Sequence, residues 1–476
     1  MKLTLYNVLL GLIIGLTACM SAFLSILQET DLALAFYAIA AILLIFLGRS
    51  ITGNYSNFTI IFFIFSALYS LSGPIAARYG DGIPEFYPTP YLFDEFFLHY
   101  SLAVIGLTLG LMFVAALKSP SISVTRLAPA WNRKTLLKLS YAFAVTASFG
   151  EIVNFIRVGG FAAIYAGKAA YHSAVSELPG TLPSTLIILL SIALLALSLS
   201  VSNMSRKRWA RSVVMWIISS LPLILSLLII GDRATLLSII VIFIVGHIFF
   251  SPIKRIEVKW VAFGVFIYFM MAFLYGVRSH FGLILTTGEL KILMTLISEP
   301  TFWINILNPA SNDFHCAFGN FNTYILSGTS DLRLGESYLK GLTMPIPRFI
   351  WPDKPQSIGY DFRDTFFPDW AQQGISAGTA YSSLLEAYLN FGTIGVLIVY
   401  LLLGIFMGYL ERTRFQSRSL MFAVFYLILL PVAMTFHRID LGNPIFWPLL
   451  MAFVGSGLYI LINSLSKRKL THRWED

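Results

Sequence analysis

Twelve apolar runs constrain this chain more than any other feature of its sequence. Each is long enough to cross a bilayer as an α-helix, which needs about 17 to 25 residues. Helices are the regular structure that fits, since every backbone polar group in lipid must be satisfied within the span. The runs lie at about 7–27, 31–48, 58–76, 98–117, 136–156, 182–203, 211–230, 234–250, 258–277, 392–410, 419–436 and 445–465. The predicted fold class is an all-α polytopic membrane protein with about 12 transmembrane helices.

The composition supports a membrane protein and excludes an ordinary soluble domain. Hydrophobic residues make up 57% of the 476 positions and charged residues 12%, whereas soluble globular proteins carry about 25% charged residues. The net charge of +9 would suggest nucleic acid in a soluble chain. In a polytopic membrane protein the basic residues of the loops set the orientation of the spans, so the net charge does not by itself indicate a binding partner.

The loop charges predict the orientation of the twelve spans. When the spans alternate across the membrane, one side receives 21 of the 33 basic residues and 4 of the 24 acidic residues. The positive-inside rule makes that side cytoplasmic, so both termini are expected in the cytoplasm and the long loop outside. The basic excess therefore reflects topology, and we expect no nucleic-acid partner.

One long polar insertion divides the apolar runs into two groups. We expect helices 1–9 in residues 1–278, a large outward loop in 279–391, and helices 10–12 with a cytoplasmic tail in 392–476. The loop centre reads Met344-Pro-Ile-Pro-Arg-Phe-Ile-Trp-Pro-Asp-Lys-Pro355. Its prolines fix the backbone and remove hydrogen-bond donors, which excludes a helix interior or a central strand. The segment is interpreted as a shaped loop that holds Arg348 in place.

Two arginines in very tight turns are the most informative charged residues. Arg233 and Arg438 lie between apolar runs, near or just inside the outward interface, where an arginine is costly and normally has a partner. One interpretation is a local ion pair, Arg233 with Asp232 and Arg438 with Asp440. The other is that both point into one outward cavity and bind the phosphates of a lipid-linked substrate, since guanidinium suits phosphate geometry.

Further residues on the same side complete the predicted site. Arg278, just past the ninth span, and Arg348 are candidates for the same phosphate-binding role. The candidate general bases are Asp232, Glu386, His437 and Asp440, with His315 as a further histidine on the same side, and any of them could take a proton from a hydroxyl nucleophile if its pKa lies near neutral.

A metal site has weaker support in the sequence. Glu29 and Asp31, in the first outward turn, have the acidic spacing of many metal-dependent, lipid-linked glycosyltransferases, but a solvated turn that caps the second span explains them as well. The sequence contains no phosphate-binding GxxxxGK[ST], no HExxH and no paired CxxC motif. We therefore expect no metal and no cofactor.

The end of the long loop shows helical periodicity. Apolar and aromatic residues recur at helical spacing between about Gly374 and Asn390. We expect a helix there that packs over the cavity and leads into the tenth span. The alternative is an interfacial helix that lies on the bilayer.

Three stretches together resemble a known family. They are Gly231-Asp-Arg-Ala234, Pro345-Ile-Pro-Arg-Phe-Ile-Trp-Pro-Asp-Lys-Pro355 and Tyr381-Ser-Ser-Leu-Leu-Glu-Ala-Tyr-Leu-Asn-Phe-Gly-Thr-Ile-Gly395. Their order, with many spans and a large loop before the last helices, is similar to the bacterial oligosaccharide repeat-unit polymerases, the Wzy-type O-antigen and capsule polymerases. The resemblance implies a metal-independent enzyme similar to glycosyltransferases of the C class.

The same resemblance implies the substrates, partners and location. Such an enzyme transfers a growing glycan from undecaprenyl diphosphate to a lipid-linked repeat unit on the periplasmic face of the bacterial inner membrane. A chain-length regulator and a flippase are its implied protein partners. Two other functions stay open: an O-antigen ligase that uses the same donor, and a flippase or transporter of lipid-linked oligosaccharide. A transporter should place polar groups near the mid-membrane on broken helices, whereas here the ionisable residues cluster at the helix ends.

Overall fold

The structure of the chain is a computed structural model, and its described part is entirely helical and irregular. It describes residues 3–80, 82–117, 131–160, 171, 174–175, 183–201, 205–250, 255, 257–287, 290–307, 313–329, 331–343, 346, 350–351, 353–356, 358–372, 381–438 and 443–471.

The apolar runs form the helices of a bundle. They are α1 (Leu5–Ile26), α2 (Thr30–Thr52), α3 (Phe58–Tyr79), α4 (Phe93–Ala116), α5 (Arg133–Arg157), α6 (Ser184–Ser200), α7 (Arg206–Ile230), α8 (Arg233–His247) and α9 (Val258–Thr287), followed after the long loop by α16 (Ser383–Gln416), α17 (Leu420–Thr435) and α18 (Asn443–Thr471). Ten are long and apolar enough to cross a membrane, while α6 and α8 are shorter apolar helices. The predicted class of polytopic all-α membrane protein is confirmed.

The long loop contains short helices rather than extended coil. They are α10 (Leu290–Ser298), α11 (Pro300–Leu307), α12 (Cys316–Leu326), α13 (Glu336–Thr343), α14 (Ile358–Phe366) and α15 (Pro368–Gln372), with a 3₁₀ turn at Asp313–His315. Phe318 and Phe321 of α12 are buried and pack on Phe96 of α4, with ring centroids 4.8 and 5.8 Å apart. The loop is thus anchored in the bundle by aromatic packing.

The helix predicted at the end of the loop is present from Ser383 and runs directly into the tenth span. It begins nine positions before the predicted start of that span at 392, because the amphipathic segment and the span join into one element. Leu384, Leu385 and Leu389 are buried, so the segment packs inside the protein and does not lie on the bilayer surface.

A break at Gly392 connects this helix to the loop. Gly392 has φ 65° and ψ −160° inside α16, a conformation that a side chain disfavours. The break frees the carbonyls of Leu389 and Asn390 from their helical partners. They accept instead from the backbone N–H groups of Arg333 at 2.9 Å and Leu334 at 3.0 Å. The kink therefore gives the loop a fixed attachment point.

Helices α4 and α16 pack closely through facing glycines. Gly106 and Gly110 lie on α4, and Gly404 and Gly408 lie on α16. A Cβ atom on Gly106 would lie 2.6 Å from the carbonyl oxygen of Leu397. Small residues four apart allow such backbone contact in membrane helices. This pair forms a rigid centre beside which the other helices are arranged.

Two ends of the bundle can be distinguished by their charged residues. The Arg233 end is where α7 ends, α8 begins and α17 finishes at Arg438. The Arg414 end is where α3 and α17 begin and α16 finishes near Arg414. These two names are used below.

Candidate active site

A cavity of about 380 Å³ lies between α3, α8, α9 and the last turn of α17. Its charged lining residues, among those described, are Arg233 and Arg438. Most of the remaining wall is apolar, including Ile64, Leu237 and Ile267. The cavity therefore combines a cationic end with a hydrophobic body.

Arg233 owes its position to the turn that precedes it. Gly231 closes α7 in the left-handed conformation, with φ 71° and ψ 34°, and α8 starts two residues later. The guanidinium carbon of Arg233 lies 4.2 Å from the centroid of the Tyr275 ring on α9. This cation–π contact orients the guanidinium.

α8 is short for a helix that crosses a membrane. With 15 residues and a rise of about 1.5 Å per residue, α8 is about 22 Å long, less than the roughly 30 Å of hydrocarbon in a bilayer. α3, with 22 residues, and α9, with 30 residues, are longer. The N-terminus of α8 also has a partial positive charge, so an anion near Arg233 is favoured twice.

Arg438 reaches the cavity from the other side. It ends a 3₁₀ turn, Phe436–Arg438, that continues α17. Met434 and Thr435 in the last turn of α17 line the cavity with it. A cation near a helix C-terminus is stabilised by the helix dipole, which favours an arginine in this turn.

His437 is adjacent to Arg438 and buried in an aromatic environment. Its ring centroid lies 4.9 Å from that of Phe62 and 5.9 Å from that of Tyr69, and Tyr69 is a cavity wall. Neither ring nitrogen is hydrogen-bonded to a residue that the structure describes. Buried polar atoms are normally bonded, and an exception calls for an explanation.

Asp232 lies directly beside Arg233, at the N-cap of α8. It is buried, and its Oδ2 accepts a hydrogen bond of 2.7 Å from the hydroxyl of Thr235. Its backbone N–H donates to the carbonyl of Leu227. The carboxylate is thus held at the start of α8, next to the cavity.

Glu386 is fully buried and joins two elements. Its Oε1 accepts a hydrogen bond of 2.7 Å from Ser337 of α13. The Asn390 side chain donates to the Ser337 hydroxyl at 2.6 Å and to the Glu386 carbonyl at 2.8 Å. The described lining of the arginine cavity does not include Glu386. Its observed contacts attach α13 to α16.

Charged residues around α13 complete this attachment. Lys340 Nζ lies 3.0 Å from Glu336 Oε1 and 3.1 Å from Asp361 Oδ2. The hydrogen bond from Lys340 lowers the pKa of Glu336. Burial raises the pKa of the neighbouring Tyr338, with the Glu386 charge adding to the effect. Tyr338 therefore stays neutral, and the polar contacts of Glu336, Ser337 and Lys340 hold α13.

Three predicted site residues lie outside what the structure describes. Arg348 and Asp440 belong to segments without a described placement, and of Arg278 the structure describes the helical backbone without its side chain. The roles of these three residues stay predictions from the sequence.

Asp31, one of the two acidic residues in the first turn, has a structural partner. Arg78 donates from Nε to Asp31 Oδ1 at 2.8 Å and from Nη2 to Oδ2 at 3.1 Å. The Tyr79 hydroxyl adds a hydrogen bond of 2.8 Å to Oδ1. Asp31 therefore joins α2 to α3. Within the described parts of the chain, no three His, Cys, Asp or Glu residues are grouped so that they could hold a metal ion.

A buried polar cluster at the Arg414 end was not predicted from the sequence. Tyr426 donates to Glu411 Oε1 at 2.8 Å, and Arg414 donates to the Ser56 carbonyl at 2.6 Å and to the Tyr426 hydroxyl at 3.1 Å. The Phe58 N–H donates to the same hydroxyl at 2.8 Å. The only signal in the sequence is the pair Glu411 and Arg414, three positions apart at the end of a span.

Other cavity residues were also missed. Tyr69, Tyr268 and Phe314 line the cavity, and Tyr275 contacts Arg233. Aromatic residues are common near membrane interfaces, so their residue type alone did not single them out.

Comparison with known proteins adds one match. Residues 321–469 match the family model described as O-antigen polysaccharide polymerase Wzy. The matched part runs from α12 to α18 and contains Glu386, His437 and Arg438. No curated protein and no solved structure matches the chain significantly.

Proposed function

We propose that this chain joins lipid-linked repeat units at the cavity lined by Arg233 and Arg438, since its residues 321–469 match the O-antigen polysaccharide polymerase Wzy family. The family implies polymerisation of repeat units and lipid-linked substrates. The observation that carries the proposal is that two arginines from different helices line one otherwise apolar cavity. A polyprenyl diphosphate has the matching shape, an anionic head on a long hydrocarbon chain.

The transfer step has a defined bond balance. The bond between the anomeric carbon of the donor glycan and its phosphate oxygen breaks, and the diphosphate leaves with the electron pair. The acceptor hydroxyl oxygen forms the new glycosidic bond to that carbon. The hydroxyl proton passes to a base. Negative charge therefore develops on the leaving diphosphate.

The two arginines act on that developing charge. Guanidinium groups form paired hydrogen bonds with phosphate oxygens and keep their charge at all relevant pH values. In a cavity with apolar walls such interactions are stronger than in water. Removing one preorganised donor of this kind costs roughly 10²- to 10³-fold in rate. The N-terminus of α8 supports Arg233 in the same role.

His437 is our first candidate for the base. It is adjacent to Arg438 and packs against the cavity residue Tyr69, and its ring nitrogens have no partner among the described residues. A neutral imidazole has one nitrogen that can accept the hydroxyl proton. Asp232, Glu386 and Asp440 stay as alternative proposals, and Arg278 and Arg348 as further phosphate ligands.

We also propose that the Arg233 end faces the periplasm. The charge bias of the loops supports this orientation, with both termini in the cytoplasm. The test uses a cysteine-free chain carrying Gly328→Cys or Ser417→Cys. An impermeant thiol reagent should label position 328 from outside and position 417 only after the membrane is opened. Labelling of position 328 from the cytoplasmic side alone would reverse the orientation.

The experiment for the arginines uses purified protein with lipid-linked repeat units. Arg233→Ala and Arg438→Ala should each lower polymer formation roughly 100-fold or more with unchanged folded protein, and the Lys variants should rescue poorly because an ammonium lacks the planar fork. If the arginines instead pair with Asp232 and Asp440 for stability, protein amounts should fall and removal of the matching Asp should restore them.

The remaining alternatives have separate readouts. Loss of activity with a chelator, restored by magnesium or manganese, would return Glu29 and Asp31 to the site. In a deletion strain, single repeat units on the lipid A core indicate a polymerase, a bare core a ligase, and loss of periplasmic intermediates a flippase. The family match favours the first.

A further inference from the structure

A second hydrophobic groove, of about 470 Å³, runs along α3 on the side of α2. Its α3 wall extends from Ile64 to Gly80, with Ile45 contributed by α2. At about 1.5 Å per residue, this stretch measures about 24 Å, compared with roughly 30 Å for the hydrocarbon layer. The groove is therefore long enough for an extended hydrocarbon chain that enters from the Arg233 end.

The groove adjoins the arginine cavity. Ile64 and Leu68 line both of them. Helix α3 thus forms a wall shared by the cavity and the groove. The cavity and the groove both extend along α3 towards the Arg233 end. Molecules in the cavity and the groove would have their polar heads at the same end of the bundle.

A partly bonded arginine lies at the mouth of the groove. Tyr79 and Gly80 line this end, and Arg78 precedes them. The two hydrogen bonds from Arg78 to Asp31 use two of its five N–H groups. Tyr79 is a further polar neighbour of the guanidinium, and the Arg78 side chain is 47% exposed. This mouth can bind an anionic head group.

We propose that the groove between α2 and α3 binds the polyprenyl diphosphate of the acceptor substrate. This inference rests on the proposed function, since a polymerase of lipid-linked repeat units must hold two lipid-linked substrates at once. The donor needs charge stabilisation of its leaving diphosphate, which the two arginines of the cavity supply. The acceptor diphosphate does not react, so one peripheral arginine suffices to hold it.

The geometry also explains how the acceptor hydroxyl reaches the donor. Both lipid chains enter from the Arg233 end, on either side of α3, and both heads emerge there. The glycan of the acceptor extends away from its diphosphate and can bend over the end of α3 towards the cavity. Separate grooves keep the two diphosphates apart, which limits their repulsion.

The binding test uses full-length protein in nanodiscs and a polyprenyl diphosphate with a diazirine in its isoprenoid chain. After illumination, we expect labelled peptides from the groove and from the cavity. Ile45→Trp and Ala67→Trp fill the groove and should lower its labelling about tenfold, which corresponds to about 1.4 kcal/mol, without changing cavity labelling. Arg78→Gln should act in the same direction. Ile42→Trp, an exposed position on α2 outside the groove, is the matched control, and melting temperatures identify misfolded variants.

The outcomes separate this inference from the proposed function. A labelled cavity with an unlabelled groove would overturn the inference and leave the function intact. Displacement of the groove label by excess phosphatidylglycerol would also overturn it, because the groove would then hold ordinary bilayer lipid. A labelled groove with an unlabelled cavity would contradict the donor site and support the groove as a lipid diphosphate site.

A kinetic arm tests the acceptor assignment directly. Wild-type protein receives a donor with a full-length lipid, and acceptors on either a full-length or a two-isoprene lipid. Ile45→Trp should raise KM about tenfold for the full-length acceptor and leave KM for the short acceptor unchanged. An equal change for both acceptors, or no change for either, would overturn the assignment.

Discussion

The guanidinium carbon of Arg233 lies 4.2 Å from the centroid of the Tyr275 ring, so an arginine at the start of α8 is oriented by an aromatic residue of α9. The contact joins two helices that both line the cavity. A preoriented guanidinium loses less conformational freedom when it binds phosphate. Tyr275 is thereby a positioning residue for Arg233.

Replacement of Tyr275 tests this relationship. Tyr275→Leu removes the ring face and should weaken polyprenyl diphosphate binding roughly 2- to 30-fold, the equivalent of about 0.5–2 kcal/mol for a cation–π contact. Tyr275→Phe keeps the ring and is the matched control, with binding close to wild type. Fluorescence titration with a labelled polyprenyl diphosphate measures both. Equal losses in the two variants would assign the effect to the hydroxyl.

Variants of Glu386 separate a catalytic role from an attachment role. If Glu386 attaches α13 to α16, Glu386→Gln should keep most activity, because the amide oxygen can accept the hydrogen bond from Ser337. Glu386→Ala and Ser337→Ala should each destabilise the protein by about 1–3 kcal/mol, since they leave buried polar groups unpaired. Thermal unfolding in detergent and polymer formation are measured together. Inactive but stable Glu386→Gln protein would identify Glu386 as the base.

The close packing of α4 on α16 predicts that replacing glycine by alanine destabilises the protein at this contact and does not destabilise it at an open position. A Cβ atom on Gly110 would lie 2.7 Å from the backbone nitrogen of Ile405, so Gly110→Ala should destabilise the protein by about 1–3 kcal/mol. Gly457 of α18 has no atom within 4 Å of such a Cβ, and Gly457→Ala should be neutral or stabilising by up to about 1 kcal/mol. Melting temperatures that shift equally would refute close packing at Gly110.

The buried cluster at the Arg414 end predicts a strong effect far from the cavity. Arg414→Met leaves the fully buried Glu411 without its nearby cation. The free energy of unfolding should fall by about 3–5 kcal/mol, and the amount of folded protein should fall with it. The double variant with Glu411→Met should recover much of that loss. Arg418→Met, at an exposed position nearby, serves as control. If Arg414→Met is as stable as Arg418→Met, the buried cluster contributes little to the stability of the protein.

The class of fold could be predicted from the sequence because hydrocarbon imposes a simple rule. Every span must satisfy its own backbone groups, so the apolar runs determine that the chain is helical and where the helices lie. The sequence predicted a helix at the end of the loop and a tenth span from 392, and the structure joins the two in α16. The amphipathic helix after Tyr381 and the apolar run after Gly392 are distinct in hydropathy, yet they form one element with a kink.

The sequence also indicated the chemistry of single residues, but it did not indicate which residues surround them in the fold. An arginine in a tight turn between apolar runs is costly to place near the bilayer and normally has a partner or a function. Arg233 and Arg438 are predicted site residues for that reason. The candidate base Glu386 shows the limit, because the polar groups around it come from α13, many positions earlier in the chain.

The sequence by itself determined the helical membrane fold and the family resemblance, and it predicted the phosphate-binding arginines. Only the tertiary structure decided that Arg233 and Arg438 line one cavity, that Asp31 is paired with Arg78, and that α3 separates this cavity from a second groove. The physical reason is that hydropathy and residue type are local properties of the chain. Cavities and ion pairs depend on which helix faces meet, and that is set by side-chain packing between segments distant in sequence.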